Sequence, residues 1–296
     1  MRVGVALPQG WAEPFGARPS RDAWARTVSA AATADALGFD SAWLFDHFHR
    51  WPAPGDEAMF EAFTGLTGVA GVTRRIRLGH LVLCAGYRNP ALVAKMISTL
   101  DVISGGRVDL GIGAGWYEDE WRAYGYAFPA TADRLAILRD DLEVITRMLR
   151  PGAASWTGAH ARVDAAVNEP KPIQEHLPVM IGGNGPNVTW RLAARFADEL
   201  NLDGLSPDQT RSALPVIAAR CEEIGRDPVS LRVSVHVFST GLGSAGPQRV
   251  NTLGEYRLTG VSRVMTPPPG LVDTDEVLHA LAEDCLAAGV ELDQRG

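Results

Sequence analysis

An acid and two imidazoles stand close together early in the sequence: Asp46, His47 and His49, with Trp51 just beyond. Neighbouring carboxylate and imidazole side chains are typical of groups that transfer protons near neutral pH. They directly follow the apolar run Ser41–Phe45, which has the pattern of a buried strand. We therefore predict that His47 and Asp46 are catalytic. The structural alternative is that Asp46 caps the next turn and His47 only packs.

A second candidate segment, Ser104–Glu120, reads SGGRVDLGIGAGWYEDE. Gly111, Gly113 and Gly115 recur at period two at the end of a strand-like run, where glycine lets a flat ligand approach the backbone. Trp116 stands where a dinucleotide-binding fingerprint would need a glycine, so that fingerprint is absent. The segment predicts the rim of a ligand site.

A third segment, IGGNGPN, ends another apolar run and precedes a helical pattern. Successive glycines free backbone N–H groups to converge, and a helix start adds positive potential. This combination suits an anion such as a phosphate, although such turns also occur without a ligand. The candidate residues are Gly182, Gly183, Asn184, Gly185 and Pro186. Arg88 is either a substrate contact or the partner of an acid.

Composition narrows the class of protein. The chain has 296 residues and a formal net charge of -7, with no block of basic residues, which argues against nucleic acid and membrane partners. Its three cysteines lie far apart, and no third ligand joins His47 and His49, so we predict neither disulfides nor a metal. No signal pattern or long apolar run is present, so we expect a cytoplasmic protein.

The elements that position these residues alternate along the chain. Eight apolar, β-branched runs predict strands at Val3–Leu7, Ser41–Phe45, Ile76–Leu83, Val108–Ile112, Pro178–Ile181, Asp198–Leu202, Leu231–Phe238 and Val261–Thr266. Six amphipathic segments predict helices at Arg21–Leu37, Pro90–Ile103, Arg134–Leu149, Asn187–Phe196, Pro207–Ile224 and Asp273–Ala288. This alternation predicts a parallel sheet closed into a (β/α)8 TIM barrel, one domain over residues 1–296. We expect long βα insertions at about 116–178 and an irregular Gly-rich loop between Phe238 and Val261.

Four of these motifs together resemble one family, the bacterial luciferase-like flavin and deazaflavin enzymes, and most closely the branch that depends on the deazaflavin coenzyme F420. The resemblance is carried by GFDSAWLFDHF, by the long segment from Arg75 to Gly125, and by PKPIQEHLPVMIGGNG with RLAARFADELN. It covers most of residues 1–201.

The resemblance implies a luciferase-like (β/α)8 barrel, often a homodimer, that holds F420 in its mouth. Asp46 and His47 would lie near the ring carbon that carries the hydride, and Trp51 would border the substrate. A bulge beneath the ring would contain a non-proline cis peptide near Leu81–Val82. The implied cofactor-binding residues are Asp46, Leu81, Val82, Gly113, Asp119, Gly182, Gly183, Asn184, Gly185 and Pro186.

One departure from the family's pattern bears on the substrate. Relatives that oxidise a sugar phosphate carry a glutamate directly after the glycine motif, where this chain has Trp116. We therefore predict an F420-dependent oxidoreductase in which substrate stacks near Trp51 and Trp116 while a C=C or C=N bond of a metabolite is reduced. The alternative is a monooxygenase that uses reduced FMN supplied by a separate reductase. A barrel that binds flavin without activity is a third reading.

Overall fold

The computed structural model describes residues 1–11, 13–238 and 241–293. Within these ranges the strands are β1 Arg2–Ala6, β2 Ser41–Leu44, β3 Arg77–His80, β4 Leu83–Cys84, β5 Val108–Gly113, β6 Ala154–Thr157, β7 Arg162–Ala166, β8 Val179–Gly182, β9 Glu199–Asp203, β10 Arg232–His236 and β11 Arg263–Thr266. The helices are α1 Ser20–Ala36, α2 Ala62–Ala70, α3 Pro90–Ser104, α4 Glu118–Ala123, α5 Thr131–Met148, α6 Thr189–Phe196, α7 Pro207–Glu222, α8 Pro247–Thr259 and α9 Glu276–Ala287.

The main sheet is a closed barrel of parallel strands. Its order is β3-β2-β1-β11-β10-β9-β8-β5, and β5 pairs back with β3 to close the ring. Apolar side chains fill the space between the strands and the surrounding helices, as expected for strands that are buried on both faces. The predicted (β/α)8 barrel is confirmed.

The third barrel strand is interrupted rather than continuous. β3 ends at His80, the Leu81–Val82 peptide is cis, and β4 resumes the pairing with β5. The cis peptide expected at this position is therefore present. It places Leu81 and Val82 at the barrel mouth, between two stretches of regular strand.

The connections differ from the sequence prediction in three places. The expected loop between Phe238 and Val261 contains α8, because Pro247 occupies the first turn and Arg249, Leu253 and Tyr256 are buried at helical spacing. Residues 239–240 of that connection lie outside the described residues. The connection before β8 contains the antiparallel hairpin β6–β7. Helix α2 was not predicted, and Glu61 caps it by accepting hydrogen bonds from the N–H groups of Phe63 and Thr64.

Charged side chains fill the barrel at the end remote from the mouth. Arg263 is almost fully buried and lies 2.9 Å from Asp40, 3.2 Å from Asp109 and 3.7 Å from Glu199. Buried charges of opposite sign compensate one another for the loss of hydration. This cluster fills the barrel interior at the N-terminal ends of the strands.

Helix α5 carries a buried carboxyl group that no cationic side chain contacts within the described part of the chain. Asp141 is 3% exposed. Its burial, together with the charge of neighbouring Asp140, raises the pKa of Asp141 from 3.8 to about 8. The folded protein therefore keeps this carboxyl group protonated at neutral pH.

Among the described residues, no helix is both long and apolar enough to cross a membrane.

Candidate functional site

A cavity of about 420 Å³ opens at the C-terminal ends of the barrel strands. This is the face on which (β/α)8 enzymes bind their substrates, and the volume is typical of small-molecule sites. A larger cavity of about 910 Å³ lies at the opposite end and is lined by charged residues such as Arg2, Asp40 and Arg77. We take the smaller cavity as the candidate site, because it is lined by glycine backbone, aromatic rings and titratable side chains.

His47 lines the cavity just beyond β2. Its ring stacks in parallel on Trp11, with centroids 4.5 Å apart and planes 3° apart. The rings of Trp116 and Tyr117 approach it edge-on, at 5.9 and 6.1 Å. No described residue hydrogen-bonds Nε2 of His47, so aromatic packing fixes the ring while one nitrogen remains free for a ligand.

Glu120 contacts His47 and was not among the predicted site residues. It lies on α4 with its side chain fully buried, and its Oε2 is 3.0 Å from Nδ1 of His47. Tyr87 donates its hydroxyl hydrogen to the same oxygen at 2.8 Å, and the Phe48 N–H donates to Oε1 at 2.7 Å. Burial alone would raise the pKa of Glu120, but these hydrogen bonds outweigh it and lower the pKa. The carboxylate is therefore ionised beside His47.

Asp46 is held by cationic and backbone donors rather than left free. Arg88 binds both of its oxygens, at 2.7 and 2.8 Å, and the Cys84 N–H donates to Oδ2 at 2.8 Å. Arg88 also reaches Glu61 at 2.8 Å. Of the two roles predicted for Arg88, pairing with an acid is the one observed. This geometry favours Asp46 as an orienting group, because both of its oxygens already accept hydrogen bonds.

The cavity floor combines the interrupted strand with two glycines. A Cβ atom on Gly113 would lie 2.9 Å from Cγ2 of Val82, and one on Gly182 would lie 3.0 Å from the same atom. Larger residues at these positions would therefore collide with Val82 or displace it. Leu81, Val82, Gly113 and Gly182, four of the predicted cofactor-binding residues, all line the cavity.

The predicted anion site is only partly formed by the predicted residues. Gly183 and Gly185 line the cavity, but the Gly183 N–H already donates to the Asn201 carbonyl at 3.0 Å. Thr189 and Arg134 line the same region. Arg134 is nearly buried and donates to the carbonyls of Gly115 and Pro129, with no carboxylate partner among the described residues. The positive charge of this region therefore comes from a residue that sequence reasoning missed.

Four predicted site residues do not line the cavity. Asp119 points to solvent on α4, and Trp51 is 44% exposed with its ring 6.2 Å from that of Trp11. Asn184 uses its amide to clamp the backbone of Asp203, at 2.7 and 2.9 Å. Pro186 is exposed, and its carbonyl accepts from Arg220. By contrast, Trp116 lines the cavity.

The wall formed by β9 and β10 was not predicted as part of the site. His236 ends β10, and its Nδ1 lies 3.4 Å from Asp203. Its ring packs on Phe238 at 4.5 Å and on Phe45 at 5.5 Å. With Trp11 and Trp116, these side chains make the cavity walls largely aromatic. Within residues 1–11, 13–238 and 241–293, no three His, Cys, Asp or Glu side chains form a set that could hold a metal ion.

Comparison with known proteins gives a family match over most of the chain. The model of the luciferase-like monooxygenase family matches residues 1–240. An F420-dependent glucose-6-phosphate dehydrogenase from Amycolatopsis mediterranei (strain U-32) is 33% identical over 189 residues, 63% of this chain. That match spans 54% of the relative's length, so the chain matches only about half of it.

Two solved structures share the fold over almost the whole chain. An F420-dependent secondary alcohol dehydrogenase in complex with an F420-acetone adduct has a TM-score of 0.78 and 18% identity, covering 95% of this chain and 98% of its own. The coenzyme F420 dependent tetrahydromethanopterin reductase from Methanopyrus kandleri has a TM-score of 0.78 and 20% identity, with 96% and 97% covered. At these identities the likeness establishes the barrel architecture.

Proposed function

The chain belongs to the luciferase-like monooxygenase family, and from this membership we propose that it is an F420-dependent oxidoreductase. The observation that carries the proposal is one cavity in which His47, with Nε2 free, lies opposite a floor of glycine backbone and the Leu81–Val82 segment. The F420-dependent relative and the F420-dependent barrels support this cofactor.

The residues present fit a flat cofactor with an anionic side chain. Val82 lies so close to Gly113 and Gly182 that neither position has room for a side chain. The backbone of the two glycines is therefore uncovered, and a flat ring could approach it. Arg134, Thr189 and Gly185 would hold the phosphate of the cofactor's side chain, since Arg134 supplies the positive charge and pairs with no carboxylate of the described residues. When bound, F420 would supply or accept a hydride at C5 of its ring.

His47 would move the proton that accompanies hydride transfer. Reduction of a double bond requires a proton at the atom that receives the electron pair, and Nε2 of His47 is available in the cavity. Asp46 would orient the loop after β2 through Arg88 and the Cys84 N–H. The aromatic walls would exclude water from the reacting atoms.

The substrate we propose is a small, largely apolar metabolite that contains a C=C or C=N bond. Arg134 is the only lysine or arginine among the described residues that line the cavity, and Trp116 stands where sugar-phosphate relatives carry a glutamate. These features disfavour a sugar phosphate. Another oxidoreductase that reduces the cofactor would then be an expected partner.

Cofactor binding tests this proposal. F420 and FMN are titrated separately with the purified protein, and the quenching of each fluorophore is followed. We expect F420 to bind with a Kd in the micromolar range and FMN to bind at least tenfold more weakly. Binding of FMN without binding of F420 would instead support the monooxygenase alternative.

We also propose that the protein is a homodimer, with the outer face of α3 in the interface. This face exposes Leu92, Val102 and Ile103, which are 51%, 40% and 51% exposed, and Lys95 is its only exposed charged residue. Large apolar side chains grouped on one helix face commonly mark an association surface. A second copy would cover this face by contributing the same helix.

Charge placed on this face tests the dimer. We expect the wild-type protein to elute with the molar mass of two chains, and the double variant L92R/I103R with that of one chain, by light scattering after gel filtration. Leu258→Arg serves as the control, because Leu258 is 74% exposed on α8, away from this face. A wild-type monomer, or a double variant that remains dimeric, would contradict the proposed interface.

A further inference from the structure

Among the described residues, one buried carboxylate contacts the titratable ring of the proposed site. Both oxygens of Glu120 accept hydrogen bonds, from Tyr87, from the N–H groups of Phe48 and His49, and from the His47 ring. The residue lies 73 positions from His47 in the sequence, so the fold alone creates this contact. Glu120 thus joins α4 to the loop that follows β2.

We propose that Glu120 is a positioning residue that fixes His47 in the tautomer with hydrogen on Nδ1. An ionised carboxylate can only accept hydrogen bonds. The lowered pKa of Glu120 keeps it ionised, so the 3.0 Å contact requires Nδ1 of His47 to donate. Neutral His47 therefore presents the lone pair of Nε2 to the cavity.

The aromatic packing around His47 complements this assignment. Trp11 lies parallel to the imidazole and fixes the plane of the ring, whereas a stacked indole face cannot choose between the two ring nitrogens. Asp46 does not make this choice either, since its oxygens bind Arg88 and the Cys84 N–H. Glu120 is consequently the group among the described residues that selects the tautomer.

The tautomer of His47 follows from the contacts alone, and only its use in proton transfer rests on the proposed function. In the proposed reduction, Nε2 of His47 gains a proton from solvent and gives it to the substrate atom that receives the electron pair. That transfer restores neutral His47 with hydrogen on Nδ1. Glu120 stays ionised throughout and does not take part in the transfer, in the way that an oriented carboxylate serves a catalytic histidine.

The tautomer can be measured without cofactor or substrate. Protein labelled with ¹⁵N-histidine is examined by long-range ¹H–¹⁵N correlation at pH 8, with H47Q used to assign the His47 signals. We expect wild-type protein to show a protonated Nδ1 and an unprotonated Nε2. The opposite tautomer in wild-type protein would overturn the proposal, and this result does not depend on whether any variant folds.

Two variants separate positioning from packing. We expect Glu120→Gln to increase the population with hydrogen on Nε2, because its amide can donate to Nδ1, and to slow hydride transfer at least about tenfold. Tyr87→Phe removes one hydrogen bond to Glu120 but leaves the His47 contact, so the wild-type tautomer should persist. A folded Glu120→Gln protein with the wild-type tautomer would contradict the assignment. Failure to bind F420 would overturn the proposed function while leaving the tautomer result standing.

Discussion

Replacing His47 with glutamine is expected to slow hydride transfer by about a hundred- to ten-thousand-fold, the usual contribution of a general acid or base. Glutamine retains a polar side chain of comparable reach but cannot gain and release a proton. The proton required by the reduced substrate must then come from water, which the aromatic walls largely exclude. The rate is measured by stopped-flow absorbance of F420 in single turnovers with an acceptor that the wild-type protein reduces, a cyclic enone being the first choice.

The same variant provides its own control for binding. Because His47 contacts neither Arg134 nor the glycine floor in the described structure, F420 affinity should change by less than about threefold. An unchanged transfer rate and pH profile in His47→Gln would show that His47 does not move the proton. Loss of F420 binding would show instead that His47 belongs to the cofactor site.

Replacing Asp141 with asparagine is expected to stabilise the protein at neutral pH by about 4 kcal/mol. Burial raises the pKa of Asp141 to about 8, from 3.8 in the unfolded chain. The stability that the neutral carboxyl contributes is fully present below pH 3.8 and is lost as the pH rises through 8. Asparagine stays neutral at every pH, so its advantage should grow by about 1.4 kcal/mol per pH unit across this window.

Thermal unfolding at pH 4.5 and pH 7 measures this difference. We expect Asp141→Asn to raise Tm by several degrees at pH 7 and by much less at pH 4.5. Asp133→Asn is the matched control, because Asp133 is exposed on the first turn of the same helix. Equal Tm gains at the two pH values would show that the carboxyl of Asp141 is not protonated in the folded state.

The barrel was predictable because its strands are buried on both faces and therefore read as continuous apolar runs. Helix α2 was not, because its sequence AFTGLTGVA contains two glycines and two threonines, which are weak helix formers. It is stabilised by the N-cap of Glu61 and by the burial of Phe63 and Leu66, and that burial is a tertiary contact that no local pattern reveals. The sequence of α8 was similarly misleading, since the glycine-rich segment before it and the helix's own polar residues resemble a loop.

The residues of the candidate site likewise divide into those that the sequence identified and those that it missed. His47 was identified because it directly follows a strand, Gly113 because glycines recur at period two at a strand end, and Val82 because the family resemblance implied it. Glu120 was missed because three acids at the start of a helix read as ordinary charges that favour its N-terminus. Only its position beside Trp121, on the apolar side of a short helix, distinguished Glu120 from its neighbours. Arg134 was missed because an arginine in the first turn of an amphipathic helix reads as an ordinary surface charge, whereas the fold buries it at the cavity.

Two residues at the cavity rim are fixed far less firmly than the groups beneath them. Trp116 is 55% exposed and Phe238 is 42% exposed, whereas Asp46 and Glu120 are buried in hydrogen-bonded networks. Substitutions at such exposed positions usually change stability by about 0.5 kcal/mol or less. Variant libraries at 116 and 238 should therefore alter acceptor selectivity while folding and proton chemistry persist. This separation makes the barrel a practical starting point for directed evolution of new reductions.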